Sequence, residues 1–257
     1  MAIQAFQESV SQAADAHRLG DLRLFAEEIQ GLSFEADASR MLLKSLVNYS
    51  TVGQKPPFDH VFLFTGHMID SSNRKTPRFP AKLEPVAAQA IADAVAAELA
   101  PLKNQQKSVL GITGGACGGD ILFHEACYGL GITSHMYLLF PRLQFLDASV
   151  SFAGQPWIDR FDQIYNRLAT QERPVLGPDD NLPPWLLERE NYSIWVRNNL
   201  WMLNNALVYG GQNVTLFALW NGEGGDGVGG TQDMVNQASS HGANVVILDT
   251  KKLFNLP

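Results

Sequence analysis

The run GITGGACGGDILFHEA places four glycines, Gly114, Gly115, Gly118 and Gly119, between a strand-like apolar stretch and a helical pattern. Glycine permits positive φ and close approach of the backbone to a ligand. A helix start adds unpaired N–H groups and a partial positive charge, so this order predicts an anion site, most simply for phosphate. The run WNGEGGDGVGGTQD repeats the arrangement, with Gly229, Gly230 and Thr231 ahead of a second helical pattern. Each run also has a plain reading: a tight strand-to-helix turn for the first, and a surface loop capped by Thr231 for the second. No lysine precedes Thr231, so the phosphate loop of ATPases and GTPases is absent. No acidic residue ends a second strand at the distance a standard NAD fold needs.

A third feature is the segment GHMIDSSNRKTPRFPAK, which carries Arg74, Lys75 and Arg78 just after an apolar strand-like run ending in Gly66 and His67. The chain has a net charge of −7, so this basic cluster is local. It is either a solvated loop or an electropositive lid over ligand phosphates. His67 either bonds a ligand or satisfies nearby backbone. Asp120 is a first-turn acid or an acceptor for a ligand hydroxyl. Glu125 is a surface or packing residue, or a candidate catalytic carboxylate, and His124 reads as structural. No His, Cys, Asp and Glu grouping has metal-ligand spacing, so neither a metal nor a cofactor is expected. No GxSxG or Ser-His-Asp order is visible.

These residues need a frame that brings distant segments together. Residues 58–257 alternate strand-like runs (HVFLFTG, KSVLGIT, ITSHMYLLF, QNVTLFALW, NVVILDT) with helical ones. That alternation predicts an α/β, Rossmann-like, doubly wound and mostly parallel sheet of at least five strands. The stretch 183–210 reads as one long helix. Residues 1–52 show helical periodicity only and read as a helical appendage of three short helices, broken at Gly20 and ended near Gly53–Pro57. Helices this short bury too little surface alone and would expose an apolar face unless packed on the domain or a partner chain, so a homo-oligomer is expected. An apolar fraction of 46% and a charged fraction of 18% exclude a disordered chain. Negative net charge argues against duplex nucleic acid as partner. No apolar run reaches membrane-spanning length, no signal peptide is visible, and Cys117 and Cys127 lack zinc or CxxC spacing, so a cytoplasmic protein is expected.

The strings FTGHMID, RFP, GGACGGDILFHEA, PRLQFLDASV, PWIDRF and WNGEGGDGVGGT occur in this order over residues 58–250. Together they resemble the SLOG superfamily of Rossmann-like nucleotide-ligand domains, related to the LOG phosphoribohydrolases. The likeness is strongest to the SLOG-like domain of bacterial tetratricopeptide- and cyclase-associated proteins. The resemblance implies either a sensor of a nucleotide-derived signal or a nucleotide N-glycosidase. It also implies that Ser149, in DASV, donates to a phosphate, although a helix-terminal cap is its simpler role. The enzyme branch carries PGGxGTxxE. Here Gly230–Thr231 matches its GT, but Met234 stands where the Glu belongs and Asp233 falls one residue early. The leading expectation is therefore ligand binding without hydrolysis. The alternatives are a glycosidase using Asp120, Glu125 or Asp233, and a structural domain with empty turns. A shared pocket requires the glycine turns to meet at the carboxyl edge of the sheet. Gly118→Val is then expected to block the ligand and spare the fold.

Overall fold

A computed structural model describes residues 18–30, 49–50, 53–223 and 230–256. Five strands form one sheet: β1 (His60–Gly66), β2 (Val109–Thr113), β3 (Thr133–Met136), β4 (Val214–Trp220) and β5 (Asn244–Asp249). Their order is β3-β2-β1-β4-β5, and every pairing is parallel. The apolar runs explain the central position of β1 and β4, because a strand covered on both faces needs no alternation with polar residues. Phe62 and Phe64 of β1 enter one core layer, while Val61 and Leu63 enter the other.

The first layer holds α2 (Glu84–Asn104), α3 (Gly119–Gly129) and α5 (Gln155–Arg167). Helix α2 buries Ala87, Ile91, Val95 and Leu99, a stripe at four-residue steps that matches the helical repeat. Pro85 sits in its first turn, where a missing N–H costs nothing. The opposite layer holds α6 (Ile194–Leu207), α7 (Thr231–Ser240) and the docked α1 (Leu19–Gln30). Helix α4 (Arg142–Ser149) follows β3, and the short α8 (Thr250–Phe254) follows β5. The fold is thus the doubly wound α/β class. Strand order reverses between β1 and β4, and the crevice outside their carboxyl ends is the ligand position of open α/β sheets.

Two local readings need correction. Residues 183–210 are not one helix. A single turn at Pro184–Leu186 precedes an irregular stretch, with Asn191 at φ 54°, and α6 begins only where Ser193 caps it by accepting from Val196 N. Gly20 does not break the first described helix but lies inside α1. A side chain there would collide with Asn205, so this glycine lets α1 press closely on α6. The other helices expected within residues 1–52 fall outside the described residues.

Candidate functional site

The carboxyl ends of β1, β2 and β4 open onto a cavity of about 380 Å³. Gly66 and His67 enter it from the end of β1, Gly114 from the turn after β2 and Asp120 from the first turn of α3. Ser149 comes from the end of α4, Gly230 and Thr231 from the start of α7, and Arg78 from the loop after β1. Residues far apart in the chain therefore meet at the switch point.

The turn after β2 gives the cavity a carboxyl more than free backbone donors. Ala116 N donates to Asp120 Oδ2 (3.1 Å), Cys117 N to Ser149 O (3.0 Å) and Gly119 N to His67 O (3.2 Å). The Thr113 hydroxyl lies 3.1 Å from Asp120 Oδ1. Burial pushes the Asp120 carboxyl up to about 6, even though both hydrogen bonds favour its charged form. Behind it, His124 Nε2 donates to Gly114 O (3.0 Å), so Nδ1 accepts from the Ser134 hydroxyl (2.8 Å). Burial holds His124 down to about 4, and the neutral ring fixes the turn from below.

The cavity wall also holds buried polar groups without partners among the described residues. Ser149 is 1% exposed, and its hydroxyl makes no hydrogen bond among the described residues. Asn198 on α6 is 6% exposed, and its Oδ1 is equally without a partner. No described side chain caps α7, whose first residue is Thr231. His67 Nε2 lies 3.3 Å from both the backbone nitrogen and Oδ1 of Asn221, tying the end of β1 to the end of β4.

Several expected residues stand elsewhere. Gly115 backs onto Phe161 and Met136, and Gly119 onto Phe64, so both serve packing. Gly118 has φ 105°, and a Cβ there would sit 2.8 Å from Ile69 N. Its role is a close backbone crossing, marked by the bridge between Met68 and Gly118. This corrects the expectation for Gly118→Val, because the added side chain would break that crossing and damage the fold. Arg74 turns back on its own loop, with Nε donating to Thr76 O (3.1 Å) and lying 3.5 Å from Asp70 Oδ1. Lys75 is exposed and does not line the cavity. Glu125 is held by Arg160 through two bonds of 2.7 and 2.6 Å, while the same guanidinium binds Glu84 at 2.6 Å. It is a strut among α2, α3 and α5, away from the cavity. Asp233 lies in the first turn of α7 but outside the cavity wall. Gly229 falls outside the described residues.

Sequence reasoning missed the wall supplied by α6. Trp195, Asn198, Asn199 and Met202 line the cavity, together with the capping Ser193. Their spacing of three, four and seven residues marks one helical face. Polar asparagines on that stripe, where a core face would be apolar, were the available signal. Trp195 is half exposed, and its ring meets Phe140 edge-on at 5.8 Å.

Among the described residues no group of three His, Cys, Asp or Glu side chains is placed to hold a metal ion. No described helix is long and apolar enough to cross a membrane. Compared with known proteins, the chain matches no protein-family model and no curated protein.

Proposed function

We propose that the protein binds a phosphorylated, nucleotide-type small molecule in the switch-point cavity, as a ligand-sensing module. The observation that carries this reading is the Ser149 hydroxyl, buried without a partner among the described residues, in the wall of a cavity that also receives Arg78 and the start of α7, which no described side chain caps. A buried polar group left unpaired costs about 1–3 kcal/mol, which a ligand atom bonded to it recovers. The volume lies within the range of small-molecule sites. An anionic group has its best position at Gly230 and Thr231, where the dipole of α7 and Arg78 favour negative charge. The Asp120 carboxyl disfavours a second anion on its side and suits a ligand hydroxyl. A planar base finds apolar surface at Trp195, Phe145 and Met202. The resemblance to SLOG domains supports the same class of ligand.

The test is calorimetry and thermal shift with AMP, NAD and cyclic nucleotides, on wild type and Ser149→Ala. A binder that stabilises the wild-type chain and loses affinity in the variant supports the reading. No binding by any of them overturns it. A second reading, nucleotide N-glycosidase, is favoured by one observation: Asp120 is the only one of the three candidate acids on the cavity wall, and its raised carboxyl suits acid–base work. Release of free base, abolished by Asp120→Asn, would establish it in place of sensing. We also propose a cytoplasmic homo-oligomer. The buried free thiols of Cys117 and Cys127 agree with a reducing compartment, and sedimentation velocity tests the assembly.

A further inference from the structure

Helix α6 has two working faces. One carries Trp195, Asn198, Asn199 and Met202 and forms the cavity wall. The other, roughly a third of a turn away, carries Arg197, Trp201 and Asn204, and each of these bonds an acidic side chain of α1. Trp201 Nε1 donates to Asp21 Oδ1 at 2.7 Å, and Asn204 Nδ2 donates to Glu27 Oε2 at 2.6 Å. Arg197 Nε donates to Glu28 Oε1 at 2.6 Å, and the Tyr192 hydroxyl reaches the same oxygen at 3.2 Å. The Glu28 side chain is 1% exposed and that of Arg197 14%.

A buried ion pair is a costly way to join two helices. Its desolvation penalty rivals its Coulomb gain, and an apolar pair of like volume commonly holds as well or better. What the ion pair adds is geometry. Glu28 grips Tyr192 just before the Ser193 cap and Arg197 one turn after it, on either side of Trp195. We propose that Glu28 is a positioning residue, which from α1 fixes the first turn of α6 and with it the Trp195–Asn198 wall of the cavity. Docking of α1 and occupation of the cavity are then linked, and the linkage is reciprocal. The inference rests on the reading that the cavity is the ligand site.

The test compares the full chain with the double variant Glu28→Leu/Arg197→Met, which replaces the pair without leaving either charge stranded. Native-state hydrogen exchange over residues 192–199 is the readout that needs no ligand. The expected result is a Tm equal to or above wild type, with exchange of those amides faster by about tenfold. The Kd for whichever of AMP, NAD or a cyclic nucleotide binds the wild type should weaken by a similar factor. Unchanged exchange, or unchanged affinity in a stable double variant, overturns the proposal. Should the double variant fail to fold, Glu28→Gln decides by the same exchange measurement. It keeps an acceptor but removes the ion pair, so a rise of about threefold is expected and no rise overturns the proposal. If wild type binds no nucleotide, the functional reading fails by itself, while exchange still decides whether Glu28 positions α6.

Discussion

The cavity wall joins a carboxyl, Asp120, and a buried hydroxyl, Ser149. Asp120 is raised to about 6 from an ordinary 3.8. A carboxyl whose folded value lies above its unfolded value stabilises the fold at low pH, and that contribution is lost as pH rises through the folded value. Between about pH 4 and 6.5 wild type should therefore lose up to roughly 3 kcal/mol from this group, and Asp120→Asn should remove that slope. Urea unfolding at several pH values, compared between the two chains, measures it. Ser149→Ala should leave Tm unchanged or higher, because it deletes an unpaired hydroxyl, yet raise the ligand Kd by about five- to tenfold. Gly118→Val should lower stability by about 3 kcal/mol or more, through its φ of 105° and the collision at Ile69 N. A thermal melt that leaves Gly118→Val within a degree or two of wild type would refute this account of the turn.

At the scale of elements, the site depends on how α6 and α7 begin. Ser193 caps α6 within the cavity wall, so Ser193→Ala should cost about 1 kcal/mol and loosen Trp195 with it. Helices α2, α3 and α5 are joined by the Arg160 fork on Glu84 and Glu125, which lies outside the cavity. Glu125→Gln should therefore lower stability by at most about 1 kcal/mol, as partly exposed pairs do, and leave ligand affinity within twofold of wild type. A large loss of affinity in that variant, seen by calorimetry, would return Glu125 to the site.

For the molecule as a whole, the relevant quantities are charge and docking. Arg78 brings a cation to a cavity in a chain of net charge −7. Arg78→Gln should weaken ligand binding more at 50 mM than at 500 mM salt, with a ratio of about three or more, because screening already weakens the contact in wild type at high salt. Equal losses at both salts would assign Arg78 a packing role. The docking of α1 on α6 means that the described part of the N-terminal region shares the core with the sheet. Leu19, Leu24 and Ala26 are all buried there.

The alternation of strands and helices was legible in the sequence because its signals are local. Wholly apolar runs such as VTLFALW must be covered on two faces, and four-residue stripes such as Ala87–Ile91–Val95–Leu99 must bury one. Gly66, Gly114, Gly230, Thr231 and Arg78 are named from residue type and position beside strand ends, and Ser149 from a resemblance, and the structure sets all six on one cavity wall. Which strands are neighbours is decided by long-range packing, and no local pattern records it. Only the tertiary structure set β1 beside β4 and made one cavity from segments far apart in the chain. Only it placed Glu125 under Arg160, gave the N–H groups of Ala116, Cys117 and Gly119 internal partners, and turned one face of α6 inward. The reason is physical: a side chain's type states what it can bond, while its partner is chosen by the free energy of the whole packed arrangement.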